Sequence, residues 1–245
     1  MLEFFYTPPE KIFGQRLLIS GDEARHITKV MRHKLGDRIL VVDGLGSEYE
    51  AVISVLSETS LEAKILHRRR KTNEPIVKVS LAQGLVKGAR FDILVEKATE
   101  IGVWEIIPLL TSRTEVIPNE ENHRSERWQR IAIAAMKQSQ RSVLPKIEPP
   151  TLLGEVVKKI KEYDLAILAF EGEKKLRLPA LFTKPKKEIR RILCLIGPEG
   201  GFTKQEMELA GEKGVMLVGL GPRRLRSETA GIVLLTLIMF QMQEV

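Results

Sequence analysis

The 245-residue sequence predicts an α/β protein built on a parallel sheet and preceded by a small β-rich domain. Three observations carry that expectation. Short apolar runs such as Ile192–Ile196 and Val215–Leu220, bounded by turn residues, read as strands buried on both faces. From Ile76 onward such runs alternate with segments of helical spacing, the order that builds a parallel sheet. The first seventy or so residues instead hold closely spaced strand-like runs, which suggests a small barrel.

Taken in order, Asp22–Met31 reads as a short helix closed by Gly36-Asp37, and Arg38–Asp43, Tyr49–Leu56 and Leu61–His67 read as strands separated by turn residues. A helix there places Arg25, Lys29 and Arg32 on one face, a stripe able to follow a phosphate backbone, although a solvated face has the same composition. The polar stretch Lys71–Pro75 marks a boundary, giving domains 1–72 and 73–245. Beyond it come a strand at Ile76–Leu81, a helix ending near Gly102, a strand at Glu105–Leu110 and a long helix over Glu120–Arg141. A helix at Glu155–Glu162 and a strand at Leu165–Phe170 lead into the C-terminal units.

Composition narrows the function. With 43% hydrophobic residues the chain can bury a sizeable core, and a net charge of +7 favours an anionic partner. The single cysteine, Cys194, lies in an apolar run, so no disulfide framework is expected. His26, His33, His67 and His123 are scattered, and no metal site is predicted. No apolar segment is long enough to span a membrane and Met1–Tyr6 lacks a signal pattern, so the expected location is cytoplasmic.

Most of the functional information sits in two glycine-marked loops, Leu195–Thr203 and Leu220–Ala230. Each follows an apolar run and leads into a helix, and in α/β sheets ligands bind at such strand ends. Gly197, Gly200 and Gly201 let backbone groups approach a ligand, Pro198 stiffens the turn, and Thr203–Glu206 has capping-box spacing. A tight turn without a ligand would use similar residues. The pattern is neither a P-loop nor a dinucleotide fingerprint, and Glu199 would repel phosphate, so the ligand is neutral or cationic there.

In the second loop Gly219, Gly221 and Pro222 punctuate the turn, and Arg223, Arg224 and Arg226 crowd together. Three guanidinium groups on one turn call for a nearby anion or for full solvation. Ser227, Glu228 and Thr229 open a final helix running to about Gln243, where they can cap its N–H groups and complement its dipole. Lys87, Arg90, Lys97 and Glu100 surround another helix start, while Gln138, Ser139 and Arg141 form either a frayed helix end or the polar wall of a site or subunit interface.

Five blocks together carry a resemblance: His26-x-x-x-Val30-x-Arg32, Lys97-x-x-Glu100-Ile-Gly102, Ala134-Ala135-x-x-Gln138-Ser139-x-Arg141, Leu195–Gly201, and Leu220-Gly-x-Arg223-x-Leu225-Arg226-x-Glu228-Thr229-Ala230. In this order and over essentially the whole chain, they resemble the bacterial 16S ribosomal RNA uridine N3-methyltransferases of the RsmE type, in the SPOUT class. Lys137 stands where that family usually carries glutamate.

The resemblance implies a PUA-like RNA-binding barrel, a SPOUT domain with a C-terminal trefoil knot, S-adenosylmethionine as methyl donor, and a homodimer. The implied substrate is one uridine of 16S ribosomal RNA in the small ribosomal subunit. On this reading Phe170, Gly197, Glu199, Gly200, Gly201, Leu220, Gly221, Leu225 and Thr229 bind the donor. Arg226 stabilises the reacting uracil and Glu228 is the candidate proton acceptor; Arg25, Lys29, Arg32, Lys87, Lys97 and Arg141 are candidate RNA contacts. A non-catalytic RNA-binding assembly factor, or a SPOUT enzyme acting on another RNA, remains an alternative at this point.

Overall fold

The computed structural model describes residues 3–70, 73–115, 124–173 and 188–244. These fall into two compact units, one made of residues 1–74 with 133–144 and the other of 75–132 with 145–245.

The first unit contains β1 (Phe4–Tyr6), β2 (Ile12–Phe13), β3 (Arg16–Ser20), α1 (Asp22–Arg25), β4 (Arg38–Val42), β5 (Ser47–Leu56) and β6 (Ser60–Arg70). The sheet order is β1-β4-β5-β6-β3-β2, antiparallel except where β1 joins β4. Alternate residues of four strands (Leu17 and Ile19, Ile39 and Val41, Tyr49, Ala51 and Ile53, Leu61 and Ala63) meet in one apolar cluster with Phe5. That period of two places them all on one face of the sheet. Among the described residues its edge strands β1 and β2 do not pair, so hydrogen bonds do not close it.

Ala24 and Ile27 are fully buried in that core. The expected helix over Asp22–Met31 is interrupted: α1 stops at Arg25, His26–Val30 widens into a π turn, and Arg32 is left-handed at φ 58°. Met31 N donates to His26 O five residues back. The β-branched Ile27, Thr28 and Val30 are poor α-helix formers, and Thr28 Oγ1 donates back to Ala24 O, which competes with regular helix.

Segment 133–144 adds Met136 and Leu144 to the apolar contacts of Phe4, Tyr6, Leu40 and Val42. Lys137, at the usually acidic position, lies 2.7 Å from Glu23, whose carboxylate also accepts from Tyr6 N. Deeper, Arg141 (3% exposed) pairs with Glu74 (7% exposed) at 2.8 Å, and Glu74 also accepts from the N–H groups of Ser142 and Val143.

The second unit runs β7 (Lys78–Gly84), α2 (Arg90–Ile101), β8 (Glu105–Leu110), α3 (Arg124–Gln138, whose last residues belong to the first unit), β9 (Lys146–Ile147) and β10 (Thr151–Leu152). It continues through α4 (Leu153–Lys158), β11 (Leu165–Ala169), β12 (Arg191–Ile196), α5 (Lys204–Glu212), β13 (Met216–Val218) and α6 (Ser227–Met242). The expected start of the long helix, Glu120–His123, lies outside the described residues. The sheet is wholly parallel in the order β10-β8-β7-β12-β11-β13, with β9 also on β8. One face packs Ala82, Leu193 and Leu195 against Leu153, Val157 and Ala210 of α4 and α5. Helices α2 and α6 pack on each other, and α6 also packs on β7 and β12. Burial on both faces explains the unbroken apolar strands.

The route from β13 to α6 is unusual. The chain leaves the sheet edge, yet α6 starts against β7 and β12, on the far side of β11. It passes the turn after β11 at Gly219, where a Cβ would lie 2.1 Å from Glu173 O. Only glycine permits that approach.

Candidate active site

The carboxyl ends of β11, β12 and β13 and the first turn of α6 surround a cavity of about 440 Å³. One wall is the loop Gly197–Gly201. Beneath it lies Gly84, the last residue of β7, where a Cβ would fall 2.2 Å from Pro198 N. The loop's carbonyls are held from outside: Ser227 Oγ donates to Gly197 O at 2.5 Å and Arg113 Nη1 donates to Gly200 O at 2.8 Å. Gln83, fully buried, donates through Nε2 to Ser227 Oγ at 2.7 Å. A chain of side chains from β7 to α6 thus fixes one edge of the loop.

Its other end is fixed by the capping box of α5. Thr203 Oγ1 accepts from Glu206 N, and Glu206 accepts from Thr203 N at 2.7 Å and from Ser112 N at 2.8 Å. Partial burial alone would raise the Glu206 pKa, but those hydrogen bonds outweigh it and hold the carboxyl below its ordinary range.

The opposite wall is Leu220, Gly221, Arg223, Arg224, Leu225 and Arg226. Arg223 and Arg226 are exposed and have no ion-pair partner among the described residues, whereas Arg224 Nε sits 3.2 Å from Glu171 in a surface pair. Phe170, Ile196 and Phe202 supply apolar lining. Glu199 accepts from Arg90 Nη1 at 3.0 Å, which offsets its charge.

Phe170, Gly197, Glu199, Gly200, Gly201, Leu220, Gly221, Leu225 and Arg226 therefore share one cavity. Thr229 and Glu228 do not line it; Glu228 is buried, and among the described residues its Oε2 has no hydrogen-bond partner. The expected capping of α6 by Ser227 is corrected: no side chain caps that helix, because the Ser227 hydroxyl is committed to Gly197.

The other basic candidates do not line the cavity, although Lys87 N donates to its Glu199 at 3.4 Å. Lys87 pairs with Glu115 at 2.5 Å, Lys97 with Glu96 and Glu100, Arg25 with Asp22 and Lys29 with Glu58. Arg141 does not suit RNA contact, since its guanidinium is buried on Glu74. Cys194 is buried at the centre of β12, where desolvation pushes its thiol far above the ordinary value. Among the described residues no group of three or more His, Cys, Asp or Glu is placed to hold a metal ion.

Sequence reasoning missed Gln83, Gly84 and Arg113. Gly84 had a signal, a glycine closing an apolar strand, which often marks close backbone approach. Arg113 follows the carboxyl end of β8, the edge where site residues of such sheets gather.

An RNA methyltransferase domain family matches residues 72–239, and an RNA methyltransferase PUA domain family matches residues 19–66. The chain belongs to the RsmE family of RNA methyltransferases. The ribosomal RNA small subunit methyltransferase E of Bacillus subtilis is 30% identical, over 91% of this chain and 89% of that protein. The protein of the same name from Synechocystis is 34% identical, over 94% and 75%. The crystal structure of a ribosomal RNA small subunit methyltransferase E from Neisseria gonorrhoeae bound to S-adenosyl methionine superposes with a TM-score of 0.87 at 30% identity, covering 98% of each chain. A methyltransferase from Legionella pneumophila, also in complex with S-adenosylmethionine, gives 0.87 at 29% identity and the same coverage. The match to the RNA methyltransferase domain family spans both glycine loops, and the PUA domain match falls inside the first unit.

Proposed function

We propose that the chain methylates N3 of one uridine in 16S ribosomal RNA of the small ribosomal subunit, with S-adenosylmethionine as methyl donor. The observation that carries this is one cavity in which a tightly held glycine loop faces Arg223 and Arg226, neither with an ion-pair partner among the described residues. The cavity suits the donor. Its glycine loop presents backbone edges to a purine, Phe170, Ile196 and Phe202 offer apolar contact, and its volume of about 440 Å³ fits a small molecule. Phe170, Gly197, Glu199, Gly200, Gly201, Leu220, Gly221 and Leu225 hold the donor, with Thr229 supporting from the first turn of α6. When bound, S-adenosylmethionine supplies an electrophilic methyl group on a sulfonium.

Uracil N3 must lose its proton before it accepts that methyl. Arg226 stays protonated, so it acts not as a base but as the electrostatic partner of the uracil oxygens, favouring the imidate anion. Glu228, buried outside the lining, complements the α6 N-terminus, and the N3 proton passes to solvent. The target uridine is unpaired or flipped out, because N3 is otherwise occupied in a base pair.

The trefoil knot belongs to the same reading, supported by the crossing of Gly219 over Glu173 on the way from β13 to α6. So does the homodimer. Helix α6 is apolar on all sides, yet Leu237 is 40% and Phe240 67% exposed, and Ile93 of its neighbour α2 is exposed too; a second copy covers them. Among the described residues no helix is long and apolar enough to cross a membrane, and the cytoplasm, where small subunits are found, is the proposed location.

Calorimetric titration of S-adenosylmethionine into the wild type and Gly200→Val, together with methylation of small subunits, tests the reading. Binding by the wild type, lost in Gly200→Val, is expected; a Cβ at Gly200 already meets Arg113 at 3.1 Å. A wild type that binds no donor would sink the proposal in favour of an assembly factor. Methylation of transfer RNA but not of small subunits would overturn the substrate.

A further inference from the structure

We propose that the first unit holds a nucleotide pocket for single-stranded RNA, built on the Asp43–Tyr49 turn with Arg68 and Arg70 at its rim. The proposal rests on the reading of the chain as a ribosomal RNA methyltransferase. A second cavity, of about 420 Å³, lies wholly within this unit, and Pro9, Ile12, Leu45, Tyr49, Arg68 and Arg70 line it.

Its floor is prebuilt. Asp43, 5% exposed, accepts from Leu45 N at 2.8 Å, Ser47 N at 3.0 Å and the Tyr49 hydroxyl at 3.1 Å. Three donors leave that carboxylate a pin for the turn rather than a barrier to an anion. Strand register aims the arginines. Ser47 lies opposite Arg70 and Tyr49 opposite Arg68, so both arginines share the pocket face, while Arg69 projects to the other face, towards Glu48. Arg68 is fixed: Nη2 donates to Ser47 Oγ at 2.9 Å and the guanidinium lies 5.4 Å over the Tyr49 ring. Arg70 is exposed and has no ion-pair partner among the described residues. Beside them Leu45 is 75% exposed, with Ile12 and Pro9 next to it.

One fixed and one uncommitted guanidinium suit a phosphodiester, and the apolar rim suits a base taken out of a stack. That combination selects single strands, since a duplex keeps its bases stacked and offers phosphate alone. The helical stripe expected to contact RNA is less free, because Arg25 and Lys29 each already face a carboxylate.

Fluorescence anisotropy of the full-length protein with a short single-stranded RNA, and with the same sequence as a duplex, tests this. Arg68→Ala/Arg70→Ala should weaken single-strand binding about tenfold and lower the salt slope by about one. Leu45→Asp should weaken single-strand binding and spare the duplex. Arg25→Ala/Lys29→Ala should change little. A double arginine variant that binds as the wild type does, with the same slope, overturns the pocket. Photocrosslinking of thiouridine-substituted RNA to the wild type decides the matter if a variant misfolds: adducts at Leu45 or Tyr49 support the pocket, and adducts confined to Arg25–Arg32 overturn it. Donor titration is run in parallel. Failure of the wild type to bind S-adenosylmethionine counts against the methyltransferase reading, while the crosslink still decides where RNA sits.

Discussion

The two glycine loops look alike in sequence and are held in opposite ways. In Gly197–Gly201 two carbonyls are claimed by Ser227 and Arg113, Gly84 packs directly beneath, and a capping box fixes the exit. The chain crosses Glu173 at Gly219 just before the loop Leu220–Arg226, in which Gly221–Arg224 and Arg226 are exposed and, among the described residues, only Arg224 makes an ion pair. A preorganised backbone edge loses little entropy on binding a small rigid ligand, which suits the donor. Arg223 and Arg226, long cations with no ion-pair partner among the described residues, suit a large anion that arrives separately. On the proposed reading the first loop is the rigid edge for the donor, while the second lends Leu220, Gly221 and Leu225 to the donor and its arginines to RNA.

The strongest way to break that contrast is from below. Gly84→Ala drives a Cβ to within 2.2 Å of Pro198 N, so the first loop must shift. We expect S-adenosylmethionine affinity, read by calorimetry, to fall roughly 10²-fold, the scale of an ångström-size misplacement. The second loop should answer differently. Arg226→Ala should leave donor affinity nearly unchanged and cut single-turnover methylation roughly 10²–10³-fold, the range for removing one transition-state donor. Loss of donor binding in Arg226→Ala would erase the division between the loops.

How much of this was legible depends on whether the signal is local. The five longer strands of the parallel sheet, the α5 capping box and eight lining residues of the two loops were, because apolar runs, caps and turn glycines are written in consecutive residues, whereas the two-residue β9 and β10 left no such run. Partnerships distant in sequence were not. Arg141 reads as a free cation until Glu74 is folded against it, 67 residues away. Ser227 reads as a helix cap until Gly197 arrives from 30 residues away and takes its hydroxyl. Lys137 reads as a departure from family habit until it meets Glu23. The π turn after α1 was also invisible, since the spacing of Arg25, Lys29 and Arg32 is helical and only the β-branched Ile27, Thr28 and Val30 argue against it.

Smaller effects sharpen the picture of how the first loop is held. Ser227→Ala removes the link from α6, leaving the buried Gly197 carbonyl and the Gln83 amide short of a partner. A loss of about 1–3 kcal/mol is expected in chemical denaturation, with a weaker donor titration.

The exit of the loop is tested by pH. The Glu206 carboxyl lies below its ordinary value of 4.5, so its contribution to folding is complete above that value and fades as pH falls through the lower, folded one. Glu206→Gln should therefore cost about 1 kcal/mol near neutral pH, the worth of a capping interaction. Wild-type and variant melting curves should converge in acid, once pH has fallen through the lowered folded value and the wild-type carboxyl is itself protonated. A gap that persists unchanged in acid would mean that the glutamate shape, not its charge, holds Thr203 and Ser112. The loop would then be rigid through packing rather than through the charged hydrogen bonds on which its contrast with the arginine loop depends.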